Sequence, residues 1–186
     1  MLSLLPAVAA DIGADERTLR RAAKRGALRC RRPGPRQLEL DKGELDYLRS
    51  HWGLLHELTC TLRTERNVRL AVLFGSAARG DDRRDSDVDL LVELCTRAPG
   101  TASALAARLE RVVARDVDVA ELEIIQRDTP LLLRYALDEG RVLIDREGRW
   151  PMVLARRGEV IRAARQAERA ERRAVQESWR MVMDGT

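Results

Sequence analysis

Apolar positions change their spacing along the chain, and each change marks a different kind of unit. From Leu2 to about Leu40, short apolar groups recur at helical intervals on either side of Gly13, followed by a basic Pro/Gly stretch, Arg31-Arg32-Pro33-Gly34-Pro35-Arg36. Two short helices around a glycine turn, with a small hairpin after them, are expected. Ala9 supplies the small contact between the helices, Gly13 the tight turn, Leu19 an apolar anchor and Asp15 a cap for the second helix. From Lys42 to about Arg63, Leu45, Leu48, Trp52, Leu55, Leu58 and Leu62 form one stripe, which predicts a connecting helix.

Between Asn67 and Asp145 the pattern shortens to apolar runs of strand length: 68–74, 87–92, 117–122 and 142–144. Residues 102–114 have helical spacing through Leu105, Leu109, Val112 and Val113, and Thr129-Pro130 opens a helix that runs through Leu137 and ends at Gly140. From Arg156 to Met181, Val160, Ile161, Ala164, Ala167, Ala174 and Val175 recur at helical intervals on a thin face, which either packs back on the domain or joins two copies into a homo-oligomer. The expected fold is α+β. A small mixed sheet with packed helices (64–147) follows a helical, helix-turn-helix-like domain with its connector (1–63) and precedes a long C-terminal helical segment (148–186).

Composition narrows this picture. A chain of 186 residues with 45% hydrophobic and 34% charged residues has enough apolar surface for one full domain and a small second one. The apolar start has no basic leader, and no run approaches the roughly 20 residues of a membrane helix, so a cytoplasmic protein without a membrane partner is expected. Cys30, Cys60 and Cys95 are odd in number and far apart, which suits small apolar fillers rather than disulfides or a zinc cluster. The net charge of +4 favours polyanionic partners. Arginine placement is more telling: Glu16, Arg17, Arg20, Arg21 and Lys24 fall on the outer face of the second helix, where arginines can reach phosphates and guanine edges. DNA is thus a candidate partner for residues 9–36, the alternative being a packing or protein-binding surface.

The stretch from Leu73 to Val92 carries the chemistry. An apolar strand runs into Gly75-Ser76, a polar turn follows, and a second strand opens with Asp87 and Asp89. Alternate strand residues share a face, so both carboxylates project together with Cα atoms roughly 6–7 Å apart. Mg²⁺ takes oxygen ligands and is held by one or two carboxylates with substrate phosphates. Gly75 permits close backbone approach, and free N–H groups at a helix opened by Ser76 can bind phosphate. Asp81, Asp82 and Asp85 are read as an acidic surface turn, and Arg83 and Arg84 as solvated turn residues. His51 and His56 are placed away from the site. A Walker-type loop is excluded, because Asp81-Asp82 stands where Lys-Ser/Thr is required.

These motifs resemble those of the DNA polymerase beta-like nucleotidyltransferase superfamily, specifically its small prokaryotic members known as minimal nucleotidyltransferases. Gly75-Ser76 matches the turn, Asp87-Val88-Asp89 the metal strand, and Arg79-Gly80 and Ser86 the form common in small members; the likeness spans roughly residues 67 to 147. It implies a third carboxylate on a later strand. Asp116, Asp118, Glu121 and Glu123 are candidates, with Asp118, between Val117 and Val119, the preferred one. The resemblance implies an enzyme of the EC 2.7.7 kind that transfers a nucleoside monophosphate from an NTP, expected to be ATP, to an acceptor hydroxyl. Asp87, Asp89 and Asp118 would hold two Mg²⁺ ions, and Gly75, Ser76, Arg79 and Ser86 would bind the nucleotide. Small members include antibiotic-modifying enzymes and antitoxin-type proteins that act with a helical partner toxin; the short Arg-rich C-terminal segment points toward a protein acceptor. A DNA-binding regulator with a nucleotide-sensing or inactive transferase domain is the alternative, and a scaffold acting through the C-terminal helix a third.

Overall fold

The computed structural model describes residues 3–34 and 37–184; Pro35 and Arg36 of the expected hairpin, and the side chains of Ala174 and Val175, lie outside the described residues. A short strand β1 (Ser3–Leu4) leads into helices α1 (Leu5–Asp11) and α2 (Glu16–Arg25), and strands β2 (Arg31–Gly34) and β3 (Gln37–Leu40) complete a sheet of order β1-β3-β2. The turn between the helices has Gly13 at φ +65°. Asp15 caps α2 by accepting the Thr18 backbone N–H at 2.8 Å. Leu19, Ala22 and Ala23 turn α2 inward against Leu5, Val8 and Ala9 of α1.

Helix α3 (Lys42–Thr64) starts at an Asp41 cap and buries Leu48, Leu55, Leu58 and Leu62. Then come β4 (Val68–Phe74), α4 (Gly75–Arg79), β5 (Val88–Leu94), α5 (Thr101–Val113), β6 (Val117–Glu121), α6 (Leu122–Asp128), α7 (Pro130–Glu139), β7 (Arg141–Asp145), α8 (Arg149–Ala155) and α9 (Arg157–Asp184). The second sheet has the order β6-β5-β4-β7, with β4 antiparallel to β5 and β7 and with β5 parallel to β6. Alternation splits its side chains between two cores. Leu73, Val88, Leu90 and Val92 pack on the face of α3 and α5, whereas Leu70, Val72, Phe74 and Leu91 meet Leu122, Leu133, Leu137 and Val160 on the other.

Three expectations change. The run 117–122 ends as a strand at Glu121, because Leu122 and Ile125, three residues apart, turn inward on the extra helix α6. Cys60 and Cys95 are exposed rather than buried fillers. Asp82 is also not a surface turn residue: its side chain is only 5% exposed, pairing with His51 Nε2 at 2.6 Å and Arg115 at 2.7 Å.

Buried Arg141 joins the units together. Its guanidinium pairs with Glu44 at 2.6 and 2.9 Å, donates to the Ala78 carbonyl at 2.7 Å and the Ala27 carbonyl at 3.1 Å, and lies over the Tyr47 ring. Burial pushes the Tyr47 phenol up to about 12, so it stays protonated and donates to the Ala77 carbonyl at 3.0 Å. Two consecutive carbonyls of α4 are thereby fixed from α3 and β7. Among the described residues no helix is long and apolar enough to cross a membrane.

Candidate active site

The site lies at one end of the second sheet, where β4 finishes and β5, β6 and β7 begin. Phe74, the last residue of β4, is the cross-strand partner of Asp89, so the chain enters Gly75 directly beside that carboxylate. Gly75 has φ +71°, and a Cβ there would lie 2.2 Å from Asp89 Oδ2. Glycine is thus required both by backbone conformation and by space. Gly75→Ala is expected to displace Asp89 or the turn and to cost at least tenfold in activity while the protein still folds; steady-state kinetics beside a thermal melt will show both.

Register places the candidate third carboxylate. Asp118 of β6 is the direct partner of Asp89 in the parallel β5–β6 pair, and direct partners project to one face of a sheet. Asp116, its rival, precedes β6 and holds the start of β5 through its backbone carbonyl, which accepts the Val88 N–H at 2.9 Å. Burial raises the Asp89 pKa above the ordinary aspartate range, and the charges of Asp118 and Asp87 add to the effect, with the Arg79 guanidinium opposing them.

Glu139, at the end of α7, was not legible as a site residue. It accepts the Gly75 N–H at 3.0 Å and takes Arg79 Nη1 on both oxygens at 2.8 and 3.0 Å, and Arg79 Nε reaches Asp81 at 3.1 Å. The Gly-Ser turn is therefore clamped through an acidic side chain from another helix. Finding it in the sequence would have required knowing that β7 neighbours β4, which brings the α7–β7 junction to Gly75. Ser86 shapes the turn: its hydroxyl accepts the Arg83 N–H at 2.9 Å, and its carbonyl takes two Arg115 donors at 3.0 and 2.6 Å. His51 and Asp82 stand behind that loop. Burial alone would raise the Asp82 pKa, but hydrogen bonds from His51 and Arg115 outweigh it and hold the carboxylate low.

Among the described residues, no three His, Cys, Asp or Glu side chains form a ready-made metal cage. The donor set is open and entirely carboxylate, and the like charges around Asp89 are what a cation relieves; this fits Mg²⁺, which fills its sphere with water and substrate phosphates. Residues 56–149, half of the chain, match the model of the polymerase beta nucleotidyltransferase family. The chain belongs to that family. The nucleotidyltransferase also resembles a crystal structure of a toxin–antitoxin with AMP-PNP, at 23% identity and a TM-score of 0.51, covering 67% of this chain and 96% of that one. An MntA–HpeT toxin–antitoxin variant with two Asp-to-Glu substitutions matches at 22% identity with the same TM-score of 0.51 and the same coverage of 67% and 96%. No curated protein matches the transferase significantly.

Proposed function

We propose that this nucleotidyltransferase moves a nucleoside monophosphate from an NTP, with ATP the expected donor, to a hydroxyl on a partner protein, in the manner of an antitoxin acting with its toxin. The observation that carries the reading is the pairing of Asp89 with Asp118 in register, directly beside the Gly75 turn. Structures of the same fold that bear toxin–antitoxin names, one with AMP-PNP, support the nucleotide and the protein partner.

Asp87 and Asp89 would hold Mg²⁺, with Asp118 completing the set; the metal supplies charge neutralisation for the triphosphate and for the attacking and leaving oxygens. Gly75 and Ser76 present the start of α4 to the phosphates, and binding there draws the Gly75 N–H away from Glu139. Arg79 would exchange its own pairing with both Glu139 oxygens for a phosphate oxygen, while Ser86 keeps the loop before Asp87 in shape. Asp118 accepts the acceptor hydroxyl's proton as its oxygen bonds to the α-phosphorus; the α–β bridging bond breaks, and pyrophosphate leaves with the electron pair.

The test is incubation of the purified chain and a lysate of its host with ATP labelled at the α-phosphate and, in parallel, at the γ-phosphate. Acid-precipitable label from α-labelled ATP alone, dependent on Mg²⁺ and lost in Asp87→Asn/Asp89→Asn, is the expected result. Label from the γ-phosphate would make the reaction phosphoryl transfer and overturn the reading.

A second reading adds DNA through residues 9–36. It is favoured by the exposure of Arg17, Arg20, Arg21 and Lys24 on α2 beside a three-stranded sheet with a basic hairpin. An operator-binding protein would lose affinity steeply with added salt and on substitution of Arg17 and Arg21.

A further inference from the structure

Four arginines from three separate parts of the chain converge at the end of the second sheet remote from the carboxylates. Arg21 and Arg25 of α2, Arg63 at the end of α3, and Arg146 just after β7 line a cavity of about 390 Å³ with Ile144 and Asp145. Asp145 pairs with Leu70 and Arg141 with the neighbourhood of the catalytic turn, so the two sites are separated by the length of β7, roughly 13 Å.

The arginines are not assembled to satisfy carboxylates. Arg146 donates to the Arg66 and Arg63 carbonyls at 2.9 and 3.1 Å, which fixes its guanidinium beside α3. Asp145, the one carboxylate in the lining, already accepts the backbone N–H of Arg149 at 2.7 Å. Arg25 Nε is buried with no hydrogen-bond partner, the sole such side-chain atom among the described residues. Burial first, then the charges of Arg63 and Arg21, make its charged form costly. The scaffold nevertheless holds the group in place, since the end of α2 is tied to β7 by the Val142 N–H to Gly26 carbonyl bond at 3.2 Å.

Like charges gathered around an orphaned guanidinium N–H destabilise the fold unless an anion joins them. Guanidinium forks match tetrahedral phosphate oxygens in geometry as well as charge. We propose that this cavity binds a phosphate-bearing anion, held by Arg21, Arg25 and Arg63 with Arg146 behind them, at a site distinct from that of nucleotidyl transfer. The phosphate can belong to a small polyphosphate or to a nucleic-acid backbone, and the chemistry of recognition is the same.

The probe is inorganic pyrophosphate, titrated calorimetrically into the full chain at low salt with EDTA present, so that no metal carries it to Asp87 and Asp89. Wild-type protein is expected to bind it, with affinity at least tenfold lower in Arg25→Ala/Arg63→Ala and also reduced in Arg21→Gln, an exposed position that leaves the fold intact. Arg165→Ala/Arg169→Ala removes equal charge from the exposed face of α9 and is expected to change nothing. Absence of wild-type binding, unchanged affinity in folded Arg21→Gln, or an equal loss in the α9 variant would each overturn the proposal. Added duplex DNA that displaces pyrophosphate assigns the site to backbone phosphates, and failure to displace it assigns a small anion.

Discussion

Asp89→Asn is expected to abolish transfer and, without divalent metal, to leave the protein more stable than the native chain. On the proposed function, the loss follows from removing a metal ligand at the point where triphosphate charge is neutralised. Several kcal/mol of such stabilisation correspond to roughly 10²–10⁴-fold in rate. The gain in stability follows from the raised pKa of Asp89, caused by burial and by Asp118 and Asp87. A carboxyl with a raised folded-state pKa binds its proton more tightly in the folded chain, so its contribution is fully present below the unfolded value and lost as pH rises through the folded one. At neutral pH the native, metal-free protein bears that cost, and asparagine does not. Each kcal/mol recovered should raise Tm by roughly 2–4 °C. Metal-free melts at pH 7 and at acid pH decide it: the variant's advantage should shrink as the pH falls, and a variant less stable than wild type at pH 7 would mean that Asp89 serves the fold instead.

Glu44→Leu is expected to have the largest effect on stability, about 3–5 kcal/mol, because it strands the Arg141 charge in the core. Against a total of about 5–15 kcal/mol, that is a substantial fraction. Glu44→Leu/Arg141→Met should recover part of the loss but not all, since the Ala27 and Ala78 carbonyls lose their donor. Urea denaturation of both variants measures this. Full recovery in the double variant would show that those carbonyls find other partners.

Much of the architecture was legible because each element carries its own period or cap. The stripe Leu48, Leu55, Leu58, Leu62, the Asp15 cap and the strand alternation around Asp89 need only neighbours in sequence. Asp118 was favoured over Asp116 by its place in an apolar-Asp-apolar strand, and the parallel register puts it opposite Asp89. What sequence could not supply were contacts across elements. Glu139 reaches Gly75 only because β7 lies beside β4, and Arg141 finds Glu44 across 97 residues. Asp82 looks like an ordinary surface turn residue, and its pairing with His51 shows only when α3 is laid against the loop before β5. Helix α6 was hidden because Leu122 and Ile125 continue an apolar strand and carry no capping signal of their own.

The mixed direction of the second sheet also orders events in time. β4 and β5 form an antiparallel pair joined by a short connection, so Gly75 and Asp89 can meet early in folding, through local chain closure. β6 lies parallel to β5 and can dock only after the crossover through α5 is complete, and Asp118 arrives with it. The Gly75 turn and Asp89 are thus joined by the more local of the two pairings, whereas Asp118 reaches Asp89 only across the longer crossover.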